Sequence, residues 1–564
     1  MAVMTKRRTF TGLSDHTASV GWNPLTLAVL AGVWIAALPN WPLWRALLAL
    51  PETASARGAL FVAGFGLMVA ALTALMLALL AWRVTIKPAI AVLLLAAAFG
   101  AHFMGSYGVV IDTTMMTNVV QTDPREVRDL LSLRLLGSLL LLAGAPLLLL
   151  WRVPVRGIGW WRQAGRNALG VVTLVLLLAA LLFALFADLS ATMRNHSTVR
   201  YLINPVNSLY ALVDLAAQSQ ARPSGPPLAI GADAHILPRA AGAKPPLLVL
   251  VIGETARADH FALNGYARPT TPELAALNVI SFRNVMSCGT NTAASLPCMF
   301  SSLGKTAFES RDRDRENLLD LVQRAGMAVL WIDNQAGCKG LCERVPHAHA
   351  RDPVAGVAAL PASLCDGDEC LDDALLHGID ARLSALPAAA RARGVLLVLH
   401  PMGSHGPAYY KRSPPQRKPF RPECTTNVLQ QCDHQALINA YDNSIAYTDH
   451  VLAKTVDWLA LQQPRFDPGM LYVSDHGESL GENNLYLHGL PYALAPVEQK
   501  HVPMLLWLGS QAPADTRLPP ACLNAQRDAA LSHDNLFHTT LGLLGIRAAE
   551  YKQNLDAFAA CRAP

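Results

Sequence analysis

Five apolar stretches, near 24–42, 60–82, 88–109, 130–150 and 168–188, occupy the first third of this 564-residue chain. A helix needs about 20 apolar residues to cross a bilayer, and each stretch meets that length. Charge is nearly absent within them; Arg134, near one end of the fourth, can snorkel to the interface. The first stretch follows Lys6, Arg7 and Arg8, but it is too long, and too poor in small cleavage-site residues, to be a removed signal peptide. A chain of this pattern must satisfy two solvents, lipid first and water afterwards.

Basic residues orient the spans. Lys6, Arg7 and Arg8 precede the first, Arg83 and Lys87 follow the second, and Arg152, Arg156, Arg162 and Arg166 follow the fourth. The positive-inside rule places these three segments in the cytoplasm. The loops after spans one and three are mixed in sign and lie outside. Five spans then put everything after about residue 188 outside the inner membrane, in the periplasm of a bacterium.

The cysteines point to the same compartment by an independent route. All ten lie in the second half: Cys288, Cys298, Cys338, Cys342, Cys365, Cys370, Cys424, Cys432, Cys522 and Cys561. An even set in close-spaced pairs reads as disulfides in an oxidising compartment. With no CxxC pair, a zinc ribbon is excluded. Pairing of sequence neighbours would give 288–298, 338–342, 365–370, 424–432 and 522–561, although pattern alone does not fix connectivity.

Residues 1–188 therefore read as a five-span membrane domain, and 189–246 as interfacial helices and a linker. Around 189–220, Arg194, His196 and Arg200 lie near Leu202, Leu209 and Leu212, a pattern that suits an interfacial helix or a packed connector. The stretch 221–246 is rich in proline. From 247 to 564 short apolar runs take over: LLVLVIGE (247–254), AVLWIDN (328–334), GVLLVLH (394–400), MLYVSDHG (470–477) and PMLLWL (503–508). They read as buried strands, with helical stretches such as 315–326 and 435–460 between them. That alternation predicts an α/β domain with a mainly parallel sheet, whose reactive residues gather at the carboxyl ends of the strands.

Those ends carry acids and imidazoles. Glu254 closes the first run, His400 the third, with His405 five residues on, and Asp475-His476-Gly477-Glu478 the fourth; His488 follows in GENNLYLHG. Imidazole and carboxylate suit zinc, and a catalytic zinc site keeps one position open. Thr290, Thr292 and Ser295 lie between two cysteines in CGTNTAASLPC (288–298). A hydroxyl at a helix N-terminus is well placed to meet an anion and, beside zinc, to become a nucleophile. The same hydroxyls also suit plain helix caps. A net charge of +5 and a pI near 8.7 are too mild for a nucleic-acid partner, and no long basic run occurs.

The segments GETARADHFALNGY (253–266), SCGTNTAASLPCMFS (287–301), GCKG (337–340), SHGPAYYKR (404–412), YDNSIAYTD (441–449), SDHGESLGENNLYLHGLPYALAP (474–496) and RYLINPVNSLY (200–210) carry a resemblance. With the five spans, they resemble the phosphoethanolamine transferases that modify lipid A, a family that includes colistin-resistance enzymes. The resemblance implies a multi-pass α-helical membrane domain joined to an α/β alkaline-phosphatase/sulfatase-like soluble domain. It implies that Glu254, Thr292, Asp475 and His476 hold a zinc ion, and that Thr292 is the nucleophile that becomes phosphoethanolamine-modified. His405 and His488 match a pair that serves a second zinc or the substrate phosphate, and Lys339 and His400 match substrate-side positions. Asn118, Thr122 and Glu126 match residues for the ethanolamine headgroup, and their four-residue spacing would share one helical face. Phosphatidylethanolamine is the implied donor, lipid A the implied acceptor, and the bilayer the common solvent of both. Rival readings are a phosphoglycerol transferase, transfer to another periplasmic glycan, and a phosphatase- or sulfatase-type hydrolase. The C/S-x-P-x-R setting of a sulfatase nucleophile is absent around Thr292.

Overall fold

The computed structural model describes residues 21–122, 124–221, 225–509 and 518–562; the basic cluster Lys6, Arg7 and Arg8 lies outside them. The described residues fall into two compact units, one within Met1–Ala101 and Gly137–Val206, the other within His102–Leu136 and Asn207–Pro564.

In the first unit α1 (Pro24–Ala37) and α2 (Trp41–Leu48) meet at a 49° bend. The expected first span is thus interrupted, the geometry of a broken span or of a re-entrant loop. Alone, α1 has 14 residues, about 21 Å at 1.5 Å per residue, short of a hydrocarbon core of about 30 Å. Pro39 and Pro42 have no N–H to continue a helical ladder. The buried Asn40 amide fills the break, donating to the carbonyls of Ile35 and Asn204 at 2.9 and 2.6 Å. Among the described residues, four further helices are long and apolar enough to cross a membrane: α3 (Ala56–Leu79), α4 (Ile86–Tyr107), α7 (Leu133–Arg152) and α8 (Trp160–Asn195). Counting the bent pair as one span gives five. Gly32 lets α1 and α3 approach closely, since a Cβ there would lie 2.7 Å from the Ala70 carbonyl. On α8, Leu169, Val172, Leu176, Phe183 and Phe186 stay exposed, as residues facing lipid would. That helix continues past the expected 188 to Asn195, and α9 (Val206–Ala221) follows a short 3₁₀ turn.

The segment between α4 and α7 belongs to the second unit and forms α5 (Thr113–Gln121) and α6 (Pro124–Leu130). The body of this unit is an eight-stranded sheet. Its strands are β1 (Pro246–Gly253), β2 (Ile280–Met286), β3 (Ala328–Asp333), β4 (His347–His349), β5 (Val395–His400), β6 (Asp467–Ser474), β7 (His501–Leu508) and β8 (Leu531–Ser532). Their order is β8-β2-β7-β6-β1-β5-β3-β4, and every pairing is parallel except those of β7. β7 runs backwards because residues 475–500 stay at the carboxyl edge, so the chain re-enters the sheet from the end it left. Leu247, Val249 and Val251 pack on one face of β1, and Leu248, Leu250 and Ile252 on the other. Burial on both faces explains the unbroken apolar runs. β2 escapes the sequence reading because Arg283 and Asn284 interrupt its apolar pattern.

The proline-rich stretch runs along this unit. Leu228 exchanges backbone hydrogen bonds with Asp314 and Glu316, and the strand His235–Ile236 pairs with Arg547 and Ile546. All five neighbouring cysteine pairs are bonded.

Candidate active site

The site grows from the carboxyl edge. Glu254 follows the last residue of β1, and Asp475 and His476 follow the last of β6. The backbone there is held in an uncommon shape: Thr255 has φ +58°, and its N–H donates to Asp475 Oδ1 at 3.1 Å. Gly477 must be glycine, because a Cβ would lie 2.0 Å from the Glu498 carbonyl. Its own carbonyl lies 2.8 Å from His476 Nδ1. A ring that donates from Nδ1 turns a lone pair outward at Nε2, as a metal ligand requires.

Thr292 is the first residue of α10 (Thr292–Met299), and Asn291 caps the helix, its Oδ1 accepting from Ala294 N–H at 2.9 Å. The capping alternative therefore does not apply to Thr292. Thr290 donates to the Leu490 carbonyl at 2.6 Å, and Ser295 Oγ accepts from Gly289 N–H at 2.8 Å. Of the three hydroxyls, only that of Thr292 meets the acids. It lies 3.1 Å from both Glu254 oxygens and 3.4 Å from His476 Nε2. That nitrogen is 3.4 Å from Glu254 Oε1 and from Asp475 Oδ2. All four residues are buried.

The electrostatics of the cluster are tense. Burial raises the Asp475 carboxyl to about 6, and the Glu254 charge adds to the rise. Burial also opposes charge on Glu254 and His476. It is outweighed at Glu254 by the His476 ring, which holds the carboxyl below its usual range, and at His476 by Asp475 and Glu254, which lift the imidazole to about 10. Asp475 Oδ2 accepts no hydrogen bond among the described residues. Ligand atoms of Glu254, Asp475 and His476 all lie within 4.8 Å of one another. Two buried carboxylates, an outward imidazole nitrogen and a hydroxyl form a donor set that fits a divalent cation such as zinc.

The His488 ring lies 4.3 Å from that of His476 and 5.6 Å from that of His405, centroid to centroid. His400 Nδ1 is 3.1 Å from Asp333, and its Nε2 makes no hydrogen bond among the described residues. Lys339 donates to the Gln121 carbonyl at 3.2 Å. Asn118 lies on α5, which packs against α10. Thr122 is not on a shared helical face with Asn118 and Glu126. α5 stops at Gln121, Thr122 is its cap, and Glu126 lies on α6. Pro124 opens α6 and has no N–H with which to continue the ladder of α5. The Glu126 side chain lies outside the described residues.

Gln335 escapes the sequence reading of the site, which names Glu478 only as a strand-end acid with no role of its own. Gln335 Nε2 donates to Glu254 Oε2 at 3.0 Å. Glu478 lies 3.4 Å from His488, and burial pushes its carboxyl up to about 8. The signals available for both were position just past a strand and, for Glu478, membership of the DHGE run.

Comparison with known proteins identifies the family. A family model described as Sulfatase matches residues 246–546, and one described as phosphoethanolamine transferase EptA/EptB matches 68–220. Phosphoethanolamine transferase EptA of Salmonella typhimurium is 40% identical over 84% of this chain and 85% of its own length. Phosphatidylethanolamine transferase Mcr-2 of Escherichia coli is 36% identical over 94% of this chain and 96% of its own. The solved integral membrane protein lipooligosaccharide phosphoethanolamine transferase A (EptA) of Neisseria meningitidis superposes with a TM-score of 0.89 at 31% identity, covering 96% of this chain and 99% of that one. Two joined domain matches, near-full-length relatives and a shared full-length fold place this chain in the EptA and Mcr family of phosphoethanolamine transferases.

Proposed function

We propose that the chain transfers phosphoethanolamine from phosphatidylethanolamine to a phosphate group of lipid A through a covalent intermediate on Thr292. The observation that carries this reading is the Thr292 hydroxyl, 3.1 Å from both Glu254 oxygens at the start of a helix. Glu254, Thr292, Asp475 and His476 would hold a zinc ion. Bound there, zinc supplies Lewis acidity that lowers the hydroxyl pKa and offsets phosphoryl charge.

Glu254, kept ionised, orients the Thr292 hydroxyl and can take its proton. The threonine oxygen bonds to the donor phosphorus, the bond from phosphorus to the diacylglycerol oxygen breaks, and that oxygen leaves as an alcohol with the proton passed on by Glu254. An oxygen of the acceptor phosphate then attacks the same phosphorus, the bond to Thr292 breaks, and the acceptor's proton returns by way of Glu254 to the threonine hydroxyl. The N-terminus of α10, where Thr292 sits, favours the anion in both steps. His405 and His488 serve the phosphate or a second zinc. Lys339 and His400 lie on the substrate side, and Asn118, Thr122 and Glu126 serve the ethanolamine. The names of Mcr-2 and of the meningococcal enzyme support the choice of donor and of a lipid-linked glycan as acceptor.

We further propose a five-span chain with a cytoplasmic N-terminus and a periplasmic catalytic domain. Five disulfides support an oxidising compartment. The deciding experiment is mass spectrometry on two fronts. Lipid A from expressing cells should gain a phosphoethanolamine unit, and a peptide containing Thr292 should carry the same mass. Activity that survives in Thr292→Ala would overturn the covalent step.

A further inference from the structure

A buried ion network lies apart from the acid cluster, and the mechanism leaves it unused. Asp129, near the end of α6, is 3% exposed. Its carboxylate sits between two cations, Lys411 Nζ at 2.5 Å and Arg412 Nη2 at 3.1 Å, and its own carbonyl accepts from Asn427 at 2.7 Å. Arg412 is buried as deeply and uses its guanidinium in three directions. Nη2 meets Asp129, Nη1 meets Glu369 in the Cys365–Cys370 hairpin at 3.3 Å, and Nε donates to the His405 carbonyl at 2.8 Å. One side chain thus joins α6, a disulfide hairpin and the backbone of a site histidine. The other end of the same segment is held as well, because Lys339 donates to the carbonyl of Gln121, the last residue of α5.

A single buried ion pair adds little net stability, because desolvation offsets attraction. Geometry is what a planar fork adds: fixed directions that a lysine cannot reproduce. We propose that Asp129 and Arg412 are positioning residues for the donor lipid, coupling the α5–α6 segment to the His405 loop so that headgroup and phosphate are received in register. The inference rests on the proposed donor reaction and on the placement of Asn118 and His405 at the donor.

The test uses the full chain in detergent micelles with fluorescent phosphatidylethanolamine, following diacylglycerol release. Thr292→Ala first checks the underlying reaction: release at the wild-type rate would discard that reaction itself. Given a silent Thr292→Ala, Asp129→Asn should lower kcat/KM at least tenfold, mainly through KM. The loss should shrink to within twofold when Asn118 is already alanine, because both changes then damage one function. Arg412→Lys should show the same coupling with His405→Ala, and it decides the matter alone if Asp129→Asn does not fold. Independent, multiplying effects in folded proteins, or a loss confined to kcat, would overturn the assignment.

Discussion

Thr292 Oγ1 lies 3.1 Å from each carboxylate oxygen of Glu254, although 38 residues separate the two. A hydroxyl shared between both oxygens of an ionised acid is held for one direction of attack. Thr292→Ala should abolish both the adduct and lipid A modification. Glu254→Gln should lower turnover by about 10²–10³-fold, the cost typical of removing one preorganised polar group at a reacting centre. Steady-state rates with purified enzyme decide it; a Gln variant within tenfold of wild type would contradict the role given to Glu254.

Gln335 has no direct claim on a cation, but it donates to Glu254 Oε2 at 3.0 Å. Groups that orient a metal ligand typically contribute about 10–100-fold to metal affinity. Gln335→Ala should weaken zinc binding by that order, read by competition with a chromogenic chelator. Asp475→Asn should remove the metal outright. Unchanged zinc content in Asp475→Asn would exclude the site.

His533 ties the loop before Thr292 to the end of β6: Nδ1 accepts from Cys288 N–H at 2.9 Å, and Nε2 lies 2.9 Å from the Ser474 carbonyl. A protonated ring could not accept the first of these bonds. Burial pushes this imidazole down to about 3, whereas an unfolded histidine titrates near 6.5. Between those values the unfolded chain binds the extra proton, so stability falls as pH falls, by up to about 1.4 kcal/mol per unit from this group. Denaturation followed from pH 7 to pH 5 should show a shallower loss in His533→Gln than in wild type. Parallel curves would mean that the ring is not buried neutral.

The disulfides separate stability from activity. Cys288–Cys298 spans 10 residues and brackets Thr292, while Cys522–Cys561 spans 39 and lies away from it. Chain entropy assigns about 3 kcal/mol to the shorter loop and about 4 kcal/mol to the longer. Cys522→Ser should therefore cost more thermal stability, and Cys288→Ser more specific activity per folded molecule. Equal activity losses tracking protein abundance would make both bonds purely structural.

Much of the fold is legible because it is written in consecutive residues. Apolar length marks the spans, and the runs ending in Glu254, His400 and Asp475 mark three central strands with their chemistry at one edge. Where local pattern misleads, a proline or an interrupting polar pair is responsible. Pro39 and Pro42 flank the break in the first span, Pro124 splits Asn118 from Glu126, and Arg283 with Asn284 hides β2.

The sequence by itself determined the two solvents of this chain, the α/β order of its second half, and the acids and imidazoles at its strand ends. The tertiary structure set the Thr292 hydroxyl, rather than that of Thr290 or Ser295, against Glu254, and it alone decided that Gln335 joins the cluster and that Asp129 meets Arg412. The physical reason is range. Hydrophobic length and strand alternation act between neighbours, whereas the bonds that single out Thr292 and His533 join residues up to 245 positions apart. Such partners exist only once the sheet has brought its carboxyl ends together.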